Sequence, residues 1–310
     1  MLWHKLLSYL AILVMPVALA ASHTPPNPQG GDPSCTGNVR ALLQGPALNT
    51  FRRFEGDTEP MFNFYEDALG FEALDTLNIS GGQVVWRFKA GDTQIKLNLL
   101  EDGRKYIGGG VTAATGLRLW TFFFSDEAAV VDRFVAAGLT APKFEDLVGT
   151  DGKPAKRSAL ISDPSGQDVE LVITGDAPDT GYGGVEIGMV VSDIKQSLEF
   201  YRGFVGFNEA EAEFDERFQT LKYSFSYGST VITLRSFEEP LPADTGSGGV
   251  QYIVSNVRQV DELVKCRGIT VERPFEALQG PSGISLTLWT NDPDGITNYF
   301  LQPPNSGLVS

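Results

Sequence analysis

The stretch DTEPMFNFYEDALGF at residues 57–71 returns later in the chain as DIKQSLEFYRGFVGF at residues 193–207. Both copies place an aspartate before a helical pattern, a Phe-Tyr pair inside it and a Gly-Phe pair after it. A second motif, Asp-Pro-x-Gly, also occurs twice, at residues 163–166 and 292–295. Self-similarity at a long spacing indicates a duplicated architecture. The chain after residue 48 is therefore predicted to consist of two related halves.

Each half is itself predicted to be double. A strand at residues 51–55 precedes a helix that Asp57 caps and Gly70 ends. Three strands follow, and the last, from Thr93 to Leu99, alternates polar and apolar side chains with the period of a half-buried strand. The same order of one strand, one helix and three strands recurs from residues 117, 185 and 250. The predicted fold class is α+β, with four βαβββ modules.

The two ends of the chain differ in composition from the modules. Residues 1–20 contain a lysine, a long apolar run and then Ala18-Leu19-Ala20, a pattern typical of a secretory signal peptide. They predict an exported protein, periplasmic or secreted. A Pro/Gly-rich segment after it predicts a disordered tether. The expected domain organisation is a signal peptide at 1–20, a tether at 21–47, domains at 48–175 and 183–303, and a tail at 304–310.

Charge and cysteine content narrow the classes of partner. The formal net charge of −15 argues against nucleic acid, which binds clustered Lys and Arg. No apolar run after the signal segment is long enough to span a bilayer, so no membrane association is expected after cleavage. The only two cysteines, Cys35 and Cys266, could pair in an oxidising compartment or remain two thiols.

The module order and its motifs resemble the vicinal oxygen chelate superfamily, which includes glyoxalase I, extradiol dioxygenases and bleomycin-resistance proteins. The matching residues are Phe64-Tyr65 with Gly70-Phe71, and Asp163-Pro164 with Gly166 and Glu170. The resemblance covers about residues 48–303. It implies two tandem glyoxalase-like domains whose concave mixed sheets form cups, with helices on the convex side. Four modules in one chain could close both cups without a dimer, so a monomer is expected. The sequence leaves open whether the modules pair within each half or across the halves.

The resemblance also implies where a divalent metal would sit, on the first and last strands of each module. Counted from the matched motifs, the first-half cup would present Thr50, Lys96, Leu119 and Glu170. The second-half cup would present Glu186, Thr233, Gly249 or Gln251, and Tyr299. The only histidines of the chain, His4 and His23, lie outside the modules, and a lysine repels cations. No cofactor is therefore expected, with a divalent metal kept as the alternative.

Glu170 and Glu186 each have two interpretations. Either carboxylate could be a general base in a concave site. Alternatively, each could form a structural ion pair, Glu170 with Lys96 or Arg118 and Glu186 with Arg235. The two residues are the candidate catalytic pair.

Polar side chains on the predicted inner faces suggest a ligand site, although a solvated surface would explain them equally. The candidate ligand-binding residues are Arg52, Lys96, Asn98, Thr233, Arg235, Gln251 and Tyr299. The leading hypothesis is an exported protein that binds a small organic molecule in its cups without metal. The first alternative is a lyase, isomerase or dioxygenase that uses Glu170 or Glu186. The second is a structural or partner-binding module of an exported complex.

Overall fold

A computed structural model describes residues 35–78, 84–99, 107–149, 152, 154–175, 184–246, 248–280 and 283–304. Several predicted segments lie outside the described residues. They are the signal peptide, the tether up to residue 34, the connection between the halves at residues 176–183 and the tail from residue 305. Within them, no helix is long and apolar enough to cross a membrane.

Four modules follow one another with the predicted order of elements. The strands are β1 (Asn49–Phe54), β2 (Glu72–Asn78), β3 (Val84–Ala90), β4 (Thr93–Leu99), β5 (Gly116–Phe124), β6 (Glu145–Val148), β7 (Pro154–Ser162), β8 (Asp168–Ile173), β9 (Val185–Val190), β10 (Glu213–Asp215), β11 (Thr220–Tyr227), β12 (Thr230–Arg235), β13 (Gly248–Ile253), β14 (Val271–Gly280), β15 (Gly283–Asn291) and β16 (Thr297–Gln302). The helices are α1 (Thr58–Phe62), α2 (Glu127–Ala136), α3 (Ile194–Glu199) and α4 (Val257–Arg267). Modules one to four begin at β1, β5, β9 and β13. The predicted α+β class is confirmed.

The repeated Phe-Tyr motif lies in a distinctive helical segment. Helices α1 and α3 each continue as a π-helical stretch, Asn63–Ala68 and Phe200–Val205. The predicted cap Asp57 makes no side-chain cap bond, whereas Asp193 accepts hydrogen bonds from the backbone of α3. Both segments end at a glycine with positive φ, a conformation that a side chain disfavours.

Sheet pairing joins the two halves of the chain. The first sheet has the order β14-β15-β16-β13-β1-β4-β3-β2, and the second has the order β10-β11-β12-β9-β5-β8-β7-β6. Antiparallel pairs β1/β13 and β5/β9 connect the modules. Module one therefore shares a sheet with module four, and module two with module three. The sheets are curled and mixed, with parallel first and last strands in each module.

One face of each sheet packs on the helices. The π-helical stretches place Tyr65 and Tyr201, both fully buried, in a core cluster that also contains Trp120 from β5 and Tyr252 from β13. Trp120, Phe122 and Phe124 all belong to this helix-side core. The opposite face of each sheet is its open face, and the alternation of strand residues assigns side chains to one or the other.

Part of the segment assigned to the tether is structured. Val39 lies in a 3-10 helix (Val39–Leu42) and is completely buried in the core. Leu43 then forms a β-bridge with Val254 at the end of the first sheet. Cys35 is joined to Cys266 of α4 by a disulfide, so the pairing that the sequence left open is formed. Burial and the disulfide order this segment from Cys35 onward.

Candidate functional site

The cross-half pairing changes which predicted site residues share a cup. The open face of the first sheet, built by modules one and four, is called the outer-module cup. The open face of the second sheet, built by modules two and three, is the inner-module cup. Lys96 thus meets Gln251 and Tyr299, and Glu170 meets Glu186. The pairing that the sequence left open is across the halves, since β1 pairs with β13 and β5 with β9, and the grouping of site residues by half therefore does not hold.

Thr50, predicted as a cup position, lies on the helix side of the sheet. It is fully buried, and its hydroxyl accepts a hydrogen bond from Trp120 Nε1 at 3.2 Å. Asn49, and not Thr50, is the open-face residue of β1. It lies opposite the open-face residue Gln251 on β13, just as Glu186 lies opposite Thr121 in the other sheet. The connection between the first strand and the aspartate that follows it is one residue longer before Asp57 than before Asp193. A shift of one residue moves every side chain of a strand to the opposite face of the sheet.

Arg52, predicted to contact a ligand, belongs to the same helix-side face. Its guanidinium is almost completely buried and forms an ion pair with Asp163. Tyr65 also donates to Asp163, over 2.8 Å. These contacts place Arg52 in the core and remove it from the set of open-face residues.

In the outer-module cup, polar side chains form a connected network. Lys96 Nζ donates to Gln251 Oε1, and Asn49 Nδ2 donates to the same oxygen over 3.1 Å. Gln251 is in turn hydrogen-bonded to Tyr299, whose pKa burial raises. Burial first, and the positive charge of Arg87 second, lower the pKa of Lys96 to about 7. This cup therefore presents an amide and phenol network around one amine.

The same cup has aromatic walls and several polar atoms without a partner. The ring centroids of Trp289 and Tyr299 are 4.4 Å apart, and those of Phe51 and Trp289 are 5.9 Å apart. Among the described residues, Asn98 Oδ1, Thr287 Oγ1 and Trp289 Nε1 are buried and make no hydrogen bond. Buried polar groups are nearly always satisfied, by protein, water or ligand. These atoms are consistent with a site that receives a ligand or water.

In the inner-module cup, the carboxylate of Glu170 is surrounded by donors from neighbouring side chains. Its side chain is 2% exposed and lies 2.9 Å from Lys156 Nζ and 3.1 Å from Arg217 Nε. Ser158 Oγ donates to it over 3.0 Å. Neither predicted partner is present here, since Lys96 is in the other cup and Arg118 pairs with Asp244 at 2.6 Å. The structural interpretation of Glu170 fits this geometry, with different cations.

Glu186 is less constrained than Glu170. Its nearest cation is Lys222 Nζ at 4.0 Å, and its side chain is 19% exposed. The predicted partner Arg235 instead pairs with Asp215 at 2.6 Å and donates to Thr233 Oγ1 at 2.9 Å. Burial would lower the pKa of Lys222, but Glu186 and Glu213 outweigh burial and raise it. Lys222 is therefore a stable cation beside a half-buried carboxylate.

A cavity of about 280 Å³ opens on this face beside Glu186. Its lining residues are Thr121, Phe123, Lys156, Val172, Ile173, Thr174, Glu186 and Lys222. Thr121 lies between the two carboxylates, since it pairs across to Glu186 on β9 and to Glu170 on β8. Its hydroxyl is buried and has no hydrogen-bond partner among the described residues.

Sequence reasoning missed Lys156, Lys222, Arg217 and Asn49. Lys156 lies on β7 and Lys222 on β11, each next to the last strand of its module, and the family pattern does not mark these positions. Arg217 lies in the short connection after β10.

The donors in neither cup resemble a metal site. In the outer-module cup, the central amide oxygen of Gln251 already accepts two hydrogen bonds, one of them from a lysine. In the inner-module cup, Glu170 is neutralised by Lys156 and Arg217. Within the described ranges, no group of three or more His, Cys, Asp or Glu residues converges. A divalent ion requires several such ligands with free lone pairs, and the residues present do not fit one.

Comparison with known proteins defines the family. The model for the Glyoxalase/Bleomycin resistance protein/Dioxygenase superfamily matches residues 47–171 and 185–300. The chain therefore belongs to this superfamily, and the predicted resemblance is confirmed. No curated protein matches the chain.

Solved structures share the fold at low sequence identity. Glyoxalase I from Zea mays is 17% identical, with a TM-score of 0.64 over 84% of this chain and 92% of that chain. A putative dioxygenase from Bacillus subtilis subsp. subtilis str. 168 is 13% identical, with a TM-score of 0.62 over 84% of this chain and 86% of that chain. At these identities the similarity establishes the fold alone.

Proposed function

We propose that this protein binds a small polar organic molecule in the inner-module cup without a metal ion. The observation that carries the proposal is the cavity of about 280 Å³ beside Glu186, lined by charged, hydroxyl and apolar side chains. Ligand sites are concave, mostly apolar and supplied with a few convergent polar groups. The volume is at the small end of such sites, which favours a compact ligand over a large cofactor.

The lining indicates the chemistry of that ligand. Lys156 and Lys222 offer ammonium donors, and Glu186 offers a carboxylate acceptor on the opposite strand. Phe123, Val172 and Ile173 provide an apolar wall. A molecule with an anionic group, a separate hydrogen-bond donor and a short apolar body would satisfy all three features. Amino acids and hydroxy acids have this combination.

Metal independence is supported by the charge of the donor set. Both oxygens of the Glu170 carboxylate already accept from protein donors, namely Lys156, Arg217 and Ser158. Removing these partners from the carboxylate would leave two partly buried cations without that compensation, which is costly. The protein therefore balances charge internally where other members of the family would use an ion.

An enzymatic role is the first alternative, and one observation favours Glu186 over Glu170 as its base. Glu186 borders the cavity, and its ion pair within the described part of the chain is a long contact to Lys222. Glu170 is occupied by three donors and is hardly accessible. A base must reach the proton that it removes. Lys222 would then stabilise negative charge that develops on the substrate.

Export and oligomeric state complete the proposal. Export to the periplasm or the exterior rests on the pattern of residues 1–20 alone. A monomer rests on the closure of both cups by modules of one chain. A purely structural module is the remaining alternative, and the open cavity weighs against it.

Thermal-shift and calorimetric titration with a panel of amino acids and hydroxy acids tests the binding proposal. A ligand of the native state raises the midpoint of unfolding. E186Q should weaken the response at least tenfold, whereas E213Q, which alters the other contact of Lys222 outside the cavity, should retain it. Equal loss in both variants would contradict a specific role for Glu186.

The metal and enzyme claims have separate readouts. Equimolar Zn, Mn, Fe or Ni that stabilises the protein reproducibly would contradict metal independence. Turnover of any panel compound that disappears in E186Q and persists in E213Q would favour the enzymatic alternative over simple binding.

A further inference from the structure

Lys96 occupies the floor of the outer-module cup, away from the cavity of the proposed function. It pairs across to Phe51 on β1 and to Arg87 on β3, so the three side chains share the open face. Its side chain is half-buried, and its amine donates to Gln251 Oε1. An amide oxygen is an acceptor that serves a neutral amine as well as an ammonium ion.

Unlike several other lysines, Lys96 has no ion-pair partner among the described residues. Lys89, Lys156 and Lys222 each lie within 4.0 Å of a carboxylate. The charged side chains on the strands around Lys96 are Arg52, Arg53, Glu72, Asp75, Arg87, Lys89, Glu272, Arg273 and Glu276. Glu72 pairs with Lys89, and Arg52 pairs with Asp163 on the helix side. The guanidinium groups of Arg53 and Arg273 lie over the rings of Phe51 and Trp289. The neighbouring charge that acts on the Lys96 amine is the positive one of Arg87.

These surroundings favour the free amine. Burial and the neighbouring Arg87 lower the pKa of Lys96 to about 7. A lysine near this value is partly unprotonated at neutral pH, and the unprotonated amine is the nucleophilic form. Desolvation beside another cation is a known way to activate a lysine for attack on carbonyl compounds.

The walls of the cup indicate the kind of carbonyl compound. Phe51, Trp289 and Tyr299 form a contiguous aromatic surface next to the amine. Trp289 Nε1 and Thr287 Oγ1 are buried on the same face without partners among the described residues. They could receive a polar substituent of a bound molecule, while its ring packs on the aromatic wall.

We propose that Lys96 captures aromatic aldehydes as a covalent imine in the outer-module cup. The amine nitrogen attacks the carbonyl carbon, and the π electrons of the carbonyl move to its oxygen. Two protons from the amine nitrogen reach that oxygen, which leaves as water. The product is a carbon–nitrogen double bond to Lys96, and the reaction needs no oxidant or reductant. The cup then acts as a reactive trap without a metal.

Borohydride trapping of the full chain with benzaldehyde tests this proposal. At pH 7.5, we expect one benzyl group per protein by intact mass, and peptide mapping should place it on Lys96. Labelling should rise about fivefold between pH 6 and pH 7, reach about ten times its pH 6 level at pH 8 and then level off, as an amine with a pKa near 7 requires. An ordinary lysine would continue to gain reactivity up to its usual pKa near 10.4.

Two variants separate the site from general lysine chemistry. K96R should abolish the saturable adduct, and K89R, on the neighbouring strand, should retain it. Circular dichroism and the thermal midpoint establish that K96R is folded. Should K96R fail to fold, the peptide map of the unmodified sequence still decides the matter. Labelling spread over several lysines, or a plateau only above pH 9, would overturn the proposal.

Benzaldehyde capture by Lys96 should be independent of ligand binding in the inner-module cup. E186Q should leave benzaldehyde capture unchanged, and K96R should leave the response to amino acids and hydroxy acids unchanged. A failure of one cup is therefore distinguishable from a failure of the other.

Discussion

Tyr201 Oη lies 3.1 Å from Asp292 Oδ2, and the corresponding Tyr65 Oη lies 2.8 Å from Asp163 Oδ2. The two motifs that recur in the sequence are thus bonded to each other in space, once in each half. Each tyrosine comes from a π-helical stretch and each aspartate from the turn before a last strand. The repeated residues build the core and do not form the cups.

The two copies of this contact differ in charge compensation. Arg52 forms an ion pair with Asp163 in the first half. Met189 lies beside Tyr201 in the second, where its sulfur is 3.0 Å from the hydroxyl. Burial first, and Asp294 second, raise the pKa of Asp292 to about 8. Asp292 is therefore a buried acid whose surroundings favour the protonated form at neutral pH.

This difference predicts opposite effects of one substitution at the two aspartates. The raised pKa of Asp292 means that the folded protein holds a proton that the unfolded chain releases above about pH 4. Stability from this group is complete below that pH and is lost as pH rises through 8. D292N should remove this pH-dependent loss of stability, so the variant should become increasingly more stable than the unmodified protein from pH 5 to pH 8. Urea unfolding at several pH values measures the difference.

The matched control is D163N. It should destabilise the protein by about 3–5 kcal/mol at pH 7, because Arg52 remains buried without that carboxylate. Similar losses of stability in D163N and D292N at pH 8 would contradict the assigned charge states.

Glu170 and Glu186 should differ in their contributions to stability. E170Q removes a buried carboxylate that compensates Lys156 and Arg217, and it should cost about 3–5 kcal/mol. E186Q should change the free energy of unfolding by less than about 1 kcal/mol, since Lys222 keeps Glu213 at 2.6 Å. Chemical denaturation of both variants measures this. A larger loss in E186Q than in E170Q would reverse the assignment.

Reduction of Cys35–Cys266 should weaken the fold. The disulfide joins residues 231 positions apart and holds the N-terminal segment on α4. Closing so long a loop restricts the unfolded chain, and its loss should cost about 2–4 kcal/mol. Urea unfolding with and without dithiothreitol measures the difference. A double variant, C35S with C266S, should not respond to the reductant, and identical curves for the oxidised and reduced protein would contradict this.

Each half of the chain should depend on the other. In residues 36–175 alone, β1 would lack β13, and β5 would lack β9. Unpaired strand edges are unfavourable and prone to association. We expect this fragment to unfold or to dimerise, and an equimolar mixture with residues 184–304 to restore cooperative unfolding. Size-exclusion chromatography and thermal unfolding measure this, and a well-folded monomer of the first fragment would contradict it.

Local sequence patterns predicted the architecture well. Alternation in β4, the glycines after the helices and the two repeated motifs were enough to predict four βαβββ modules and the superfamily, and both are confirmed. These signals depend on short-range geometry, and a small number of neighbouring residues is enough to specify it. The site was predicted less completely. Lys96, Asn98, Gln251 and Tyr299 lie together on one open face, whereas Arg52 does not.

Two features depended on tertiary structure. Nothing in the local pattern of β1 distinguishes β13 from β5 as its partner, because both are similar first strands of a module. The choice of partner brought Glu186 into the same cup as Glu170 and separated both from Lys96. The face of Thr50 depended on one extra residue before Asp57, whose effect appears only in the register with β4 and β13. The amino-acid sequence by itself determined the repeated module, and long-range strand pairing determined the composition of each cup.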